Sequence, residues 1–205
     1  MHGLMQDRPL ALPHVFHRAE QFFGHKPVVT AGPAGETTTT IGEVCARTRR
    51  LATVLDTLAV SAGGRVGTFC WNTARHLELY LAAPCTGRVL HTLNIRLFPE
   101  QLVYIANHAQ DEVVFVDRSL LPLLWPHADK LETVRTYIVI DDGADVPIPD
   151  DPRVRDYEEL LAAEPFTGTF VIEDENTAAA MCYTSGTTGN PKAWSTATAR
   201  RCCTR

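Results

Sequence analysis

The sequence predicts an α/β fold in which a parallel sheet is flanked by helices. Short apolar segments recur along the chain without the alternation typical of a sheet with one face in water, and amphipathic helical patterns separate them. Continuous apolar strands are buried on both faces, as in a parallel sheet covered by helices. The main strand candidates are 65–71, 89–93, 113–117, 137–141 and 178–182.

The first 60 or so residues predict two helices with a β-hairpin between them. Apolar residues recur at helical spacing over 10–23 and again over 41–58, and Thr40 is a candidate N-cap for the second helix. β-Branched residues at 27–30 and 36–40 flank a Gly/Pro turn. This arrangement indicates a hairpin rather than a linker.

The later strand candidates alternate with helix signals. Thr73 precedes a helix predicted over 74–83, and Pro99 occupies the first turn of a helix that continues to residue 108. A short helix is predicted over 157–162. Segment 142–152, rich in aspartate and proline, is expected to be an exposed loop with solvated carboxylates.

Composition and charge restrict the possible functions. The 205 residues are 45% hydrophobic and 21% charged, which is ordinary for a soluble globular protein. A net charge of -5 and a pI near 5.9 disfavour binding to nucleic acid or to acidic lipid headgroups. The sequence contains no apolar run of transmembrane length and no apolar signal core at its start, so we expect a cytoplasmic protein without a transmembrane segment.

Cysteines and histidines give no sign of a disulfide framework or a metal site. The six cysteines form no Cys-x-x-Cys pair and mostly lie in apolar runs, so we interpret them as reduced core residues. His14 and His17, three residues apart, are the nearest approach to a ligand pair. Without further clustered ligands, we expect solvated or packed histidines and no bound metal.

The segment that points to function is Tyr-Thr-Ser-Gly-Thr-Thr-Gly-Asn-Pro-Lys at 183–192, directly after a strand candidate. Its glycines allow backbone N–H groups to turn toward an anion, its hydroxyls add donors, and Lys192 supplies a positive charge. Pro191 precedes that lysine, so the segment is not a Walker A loop. A Ser/Thr/Gly-rich surface linker would explain the composition but not the order. We therefore predict a phosphate-binding loop.

This motif resembles the signature of the adenylate-forming (AMP-binding) superfamily, which includes acyl-CoA synthetases, peptide-synthetase adenylation domains and beetle luciferases. Segment 82–102 also resembles the N-terminal region of bacterial fatty-acyl-CoA synthetases, and the resemblance extends from about residue 10 to Lys192. It implies the N-terminal subdomain of the adenylate-forming fold, here truncated. Residues 1–192 are accordingly expected to form the N-terminal part of an AMP-binding domain.

The resemblance implies an acid–thiol ligase with three small-molecule substrates, a fatty acid, ATP and coenzyme A. The carboxylate is joined to the α-phosphate of ATP with release of pyrophosphate, and the acyl group then passes to the thiol of coenzyme A. Mg²⁺ would screen phosphate charge. By matching position, the ATP phosphates would be held by Thr184, Ser185, Gly186, Thr187, Thr188, Gly189 and Lys192.

No catalytic residue is assigned within this chain. In relatives, the adenine and acyl pockets and the adenylation lysine lie beyond the phosphate loop, so we expect the chain alone to be inactive. A non-catalytic nucleotide- or acyl-binding fragment is the alternative. A third interpretation, a metal- or nucleic-acid-binding tail at 200–203, is disfavoured because its adjacent cysteines lack further ligands.

Residues 193–205 depart from the family pattern. Relatives continue with residues like Gly-Val-Val-Tyr-Ser-His-Arg after the lysine, whereas this chain continues with Ala-Trp-Ser-Thr-Ala-Thr-Ala. Removal of one G directly after the Lys192 codon, in codons chosen to encode the family sequence, reproduces the observed residues through Arg205. We therefore hypothesise a frameshift and expect an unrelated, unpacked and disordered tail.

Overall fold

The computed structural model describes residues 8–32, 35–165, 168–184 and 192–198. Two short 3-10 segments, Arg118–Leu120 and Trp125–Lys130, flank a short helix at Leu121–Leu124. The helices are α1 (Leu12–Phe23), α2 (Ile41–Thr57), α3 (Ala74–Cys85), α4 (Pro99–Ala109), α5 (Leu121–Leu124) and α6 (Tyr157–Ala163). The strands are β1 (Pro27–Gly32), β2 (Gly35–Thr40), β3 (Arg65–Phe69), β4 (Val89–Thr92), β5 (Asp111–Asp117), β6 (Thr136–Ile140), β7 (Val154–Asp156), β8 (Ala178–Thr184) and β9 (Lys192–Ala197).

A seven-stranded sheet of order β7-β6-β5-β3-β4-β8-β9 forms the centre of the described structure. Every neighbouring pair is parallel except β8 and β9, which pair antiparallel. Strands β1 and β2 form a separate antiparallel hairpin. The predicted α/β class with a parallel sheet is confirmed.

The apolar run of β5 shows why its sequence is continuous rather than alternating. Val113 and Phe115 belong to the core on one face of the sheet, with side chains of α2, α3 and α6. Val114 and Val116 belong to the core on the opposite face, with side chains of α4 and α5. Burial on both faces removes any position where a polar residue would be favoured.

Local sequence signals place the helix starts accurately. The backbone N–H of Glu43 donates to Thr40 Oγ1 at 3.2 Å, and the N–H of Thr40 donates to the Glu43 carboxylate at 2.8 Å. This capping box starts α2 at Ile41, as predicted. Thr73 caps α3 in the predicted position. The structure adds β7, which the sequence analysis assigns to no element.

The sequence predicts an unpacked tail over 193–205, but the structure pairs its first part with the sheet. Strand β9 forms an antiparallel ladder with β8, and the buried Thr198 hydroxyl donates to the backbone carbonyl of Leu10 at 3.3 Å. Edge-strand pairing uses backbone groups, so it tolerates side chains that were not selected for this position. Residues 199–205 lie outside the described residues.

No helix in the described part of the chain has the length and apolar character that a membrane span requires. Cys45, Cys70 and Cys85 are buried, in agreement with their assignment to the core, whereas Cys182 is exposed.

A buried carboxylate joins the three helices that cover one face of the sheet. Glu78 of α3 is fully buried and accepts hydrogen bonds from Arg47 of α2 at 2.8 Å and from the Tyr157 hydroxyl of α6 at 2.6 Å. Arg75 also pairs with Glu78. Burial raises the pKa of Glu78, while Tyr157 and both arginines oppose that rise. The hydrogen bonds of Glu78 to Arg47 and Tyr157 therefore constrain how α2, α3 and α6 pack together.

We expect Glu78→Ala to lower the free energy of unfolding by about 3 kcal/mol, because it leaves the buried Tyr157 hydroxyl and the partly buried Arg47 guanidinium without this acceptor. Glu20→Ala is the matched control. It removes a carboxylate that pairs with Arg49 in a more exposed position, and should cost about 1 kcal/mol or less. Urea unfolding measures both changes, and equal losses would contradict a special role for Glu78.

Candidate phosphate-binding hairpin

Strands β8 and β9 hold the two ends of the predicted phosphate loop side by side. Thr184, the last residue of β8, is paired in register with Lys192, the first residue of β9. Paired residues in an antiparallel ladder have Cα atoms about 4.5–5.5 Å apart. The two residues that flank segment 185–191 therefore lie side by side in the sheet.

This hairpin emerges at the edge of the sheet where ligands bind in open α/β folds. β8 runs parallel to β4, so Thr184 lies at the carboxyl end of the parallel strands. Carboxyl ends of parallel strands are the usual place for ligand contacts in such sheets. The side chain of Thr184 is exposed there.

The structure describes two positions of the predicted site and brings their backbones together, Thr184 and Lys192. The other five predicted site residues lie outside the described residues, and contact with phosphate stays a prediction for all seven. The five are Ser185, Gly186, Thr187, Thr188 and Gly189.

Tyr183, one residue before the end of β8, lies between two histidines. Its hydroxyl and Nδ1 of His108 form a hydrogen bond of 2.7 Å. Its ring lies 5.3 Å from the His91 ring and 5.8 Å from the His108 ring, centroid to centroid. Burial raises the pKa of Tyr183, and the nearby Asp111 carboxylate raises it further.

His91 and Asp111 form a fully buried pair beside Tyr183. Nδ1–H of His91 donates to the two carboxylate oxygens of Asp111, at 2.7 and 2.9 Å. Burial raises the pKa of Asp111, and the hydrogen bond from His91 opposes that rise. Nε2 of His91 has no hydrogen-bond partner among the described residues. An unsatisfied buried polar atom is uncommon in folded proteins.

The pair is possible because Gly67 lies between its two strands. Gly67 of β3 is in register with His91 of β4 on one side and with Val114 of β5 on the other. A Cβ at Gly67 would lie 3.1 Å from Asp111 Oδ2 and 3.0 Å from Val114 Cγ2. A side chain there would crowd both residues.

His91, Asp111 and His108 carry no predicted role. Two signals could have drawn attention to the first two, namely a histidine inside the apolar segment Val89–Leu93 and an aspartate just before the apolar run of β5. Neither signal shows that the two residues meet across a third strand.

Another buried carboxylate, that of Asp117, lies at the carboxyl end of β5. Oδ2 of Asp117 accepts the backbone N–H of Trp71 at 2.5 Å, while its Oδ1 has no partner among the described residues. Burial raises the pKa of Asp117 to about 6, the Trp71 N–H opposes this rise, and the Asp142 carboxylate adds to it.

Residues 15–199 match the model of the AMP-binding enzyme family. The chain belongs to this family. The match covers the whole parallel sheet, including the strands on both sides of the predicted phosphate loop.

Proteins similar to this AMP-binding chain include several CoA ligases. The 3-methylmercaptopropionyl-CoA ligase of Ruegeria lacuscaerulensis is 40% identical, over 94% of this chain and 36% of its own length. The medium-chain-fatty-acid–CoA ligase of Ectopseudomonas oleovorans is 36% identical, over 94% and 35%. The long-chain-fatty-acid–CoA ligase of Thermus thermophilus is 43% identical, over 92% and 33%. This chain thus spans about a third of the length of these relatives.

Solved structures confirm the adenylate-forming fold of the AMP-binding chain. An anthranilate CoA ligase, AuaEII, in complex with anthranoyl-AMP superimposes with a TM-score of 0.80 at 22% identity, covering 95% of this chain and 37% of its own. A Mycobacterium tuberculosis fatty acyl CoA synthetase superimposes with a TM-score of 0.72 at 20% identity, covering 92% and 34%. At these identities the likeness establishes the fold.

Asp117→Asn should flatten the pH dependence of stability. The folded state raises the pKa of Asp117 from 3.8 to about 6, so it binds the proton more tightly than the unfolded state, and stability falls as pH rises through this window. Asparagine cannot ionise. The variant should gain about 3 kcal/mol relative to the unaltered chain between about pH 4 and about pH 7. Denaturant unfolding at several pH values tests this, and parallel curves for the two proteins would contradict it.

Proposed function

We propose that this chain is the phosphate-binding part of an ATP-dependent fatty-acid–CoA ligase, with the β8–β9 hairpin as the site for the phosphates of ATP. The observation that carries the proposal is the pairing of Thr184 with Lys192, which closes a loop of phosphate-binding sequence at the carboxyl edge of the sheet. Membership in the AMP-binding enzyme family and the similarity to named CoA ligases support it.

The residue types of the hairpin suit a polyphosphate. Hydroxyl groups and glycine backbone N–H groups donate hydrogen bonds, and Lys192 adds a positive charge. As the bond between the α- and β-phosphates breaks, negative charge develops on the leaving pyrophosphate, and donors fixed around it lower the barrier. In this proposal, Lys192 and the loop bind and orient the leaving group, and the sulfur nucleophile of the second step comes from coenzyme A.

Mg²⁺ would enter with the phosphates and screen their charge. The described residues contain no group of three or more candidate ligands that could hold a metal ion independently. We therefore assign no resident magnesium ligand to them. Coenzyme A is likewise proposed as a substrate of the larger enzyme and not as a ligand of a particular group here.

We propose that the acid substrate is a fatty acid and that the protein is cytoplasmic. Two of the CoA ligases above have names that specify fatty acids, and segment 82–102 resembles the corresponding region of bacterial fatty-acyl-CoA synthetases. A non-catalytic nucleotide- or acyl-binding fragment is the alternative. ATP binding without any acid-dependent release of pyrophosphate would favour that alternative for this chain.

We also propose that segment 193–205 arose from a frameshift. Its pairing in β9 shows that a strand forms there, and backbone pairing is equally compatible with an original and a frameshifted sequence. Sequencing the coding DNA across codon 192 decides between them. A single-base deletion relative to close relatives supports the frameshift, and an intact frame through codon 205 contradicts it.

The 205-residue chain alone should release no pyrophosphate from ATP when a fatty acid is added. The phosphate loop fixes one part of one substrate, whereas adenylation requires the carboxylate and the α-phosphate to be held in line. A coupled pyrophosphate assay of the purified chain, with medium- and long-chain acids, measures this. Acid-dependent release above a no-acid control would contradict the expectation.

Lys192→Ala should weaken the binding of magnesium ATP to the chain by about tenfold or more, because it removes the one charged donor of the loop. Lys130→Ala is the matched control, since it removes the same charge from an exposed position on the 3-10 segment Trp125–Lys130. Isothermal titration calorimetry gives both dissociation constants. Equal effects of the two substitutions would show that Lys192 acts only through net charge.

A further inference from the structure

We propose that Tyr183, held between His91 and His108, is a positioning residue that fixes the end of β8 from which the phosphate hairpin begins. This inference rests on the proposed function for its consequence in ATP binding. Its structural part stands on contacts within the described residues.

The first observation is where the backbone ladder between β8 and β4 ends. The two strands pair at Leu90 with Ala180 and at His91 with Met181, and no later pair follows among the described residues. Tyr183 and Thr184 therefore extend beyond the support of the parallel sheet. Their remaining strand partner is β9, an edge strand with largely exposed residues.

The second observation is that the Tyr183 side chain supplies the missing support. On one side, its hydroxyl bonds to Nδ1 of His108, and His108 in turn lies 5.5 Å from the Tyr104 ring on the same helix, centroid to centroid. This contact ties the end of β8 to α4. Because α4 packs on the sheet through a large apolar core, it is a rigid support.

The third observation concerns the inner side of the Tyr183 ring. The His91 imidazole lies against this ring and cannot turn freely, because both oxygens of the buried Asp111 hold its Nδ1. The Tyr183 ring therefore lies between the His91 imidazole of β4 and the His108 imidazole of α4.

A fixed strand end matters for a loop that binds a charged ligand. Ordering the loop at the moment of binding costs conformational entropy, and a support that orders its base beforehand reduces this cost. Loss of one neutral hydrogen bond at the base should therefore weaken binding modestly. It should also loosen the hairpin locally without unfolding the sheet.

The test compares hydrogen exchange in variants of the full 205-residue chain. In Tyr183→Phe and in His108→Ala, amides in segment 182–194 should exchange about fivefold faster, the size expected for loss of one neutral hydrogen bond. Tyr137→Phe is the matched control, because it removes a tyrosine hydroxyl that donates to the Ala128 carbonyl at 3.0 Å, far from the hairpin. His108→Asn, which keeps a hydrogen-bonding group near the position of Nδ1, should restore slower exchange.

Isothermal titration calorimetry with magnesium ATP then measures how the position of Tyr183 affects binding. Tyr183→Phe should raise the dissociation constant for magnesium ATP about fivefold. Unchanged exchange in both Tyr183→Phe and His108→Ala would overturn the positioning role, as would equal acceleration of segment 182–194 in Tyr137→Phe. Failure of the unaltered chain to bind ATP would overturn the proposed function alone. The exchange comparison would still decide the role of Tyr183.

Discussion

The hydrogen-bonded pair of His91 and Asp111 joins β4 to β5 across the intervening strand β3, and the centre of the sheet depends on it. Both residues are fully buried, so each would carry a large desolvation cost without the other. The absence of a side chain at Gly67 of β3 leaves room for their contact, because a Cβ there would crowd Asp111 and Val114. One glycine, one histidine and one aspartate on three strands are thus a single structural unit.

This unit sets the geometry of the chain that leads toward the predicted ligand. His91 lies at the last ladder pair between β4 and β8, and its fixed imidazole is the surface against which Tyr183 packs. Thr184 follows directly and meets Lys192 across the hairpin. The residues between the sheet centre and the predicted phosphate loop are therefore held by polar contacts as well as by apolar packing.

Much of the fold follows from local sequence signals, and the remainder depends on contacts that no local signal contains. The capping box of Thr40 and Glu43 and the unbroken apolar run of β5 each specify their element. These local rules do not predict β9, because an edge strand of mostly small and polar residues is held by backbone hydrogen bonds to its neighbour. The phosphate motif was recognisable from residue order, whereas the pair of His91 and Asp111 depends on strand order, which brings residues from separate segments together.

The central claim, that the β8–β9 hairpin binds the phosphates of ATP, can be tested residue by residue. Backbone amide NMR spectra of the chain, recorded while magnesium pyrophosphate and then magnesium ATP are added, report which N–H groups change environment. The account predicts that both ligands shift the amides of segment 184–192 most strongly, with smaller changes at Tyr183 and His108. Saturable shifts centred elsewhere on the chain, with segment 184–192 unchanged, would contradict it.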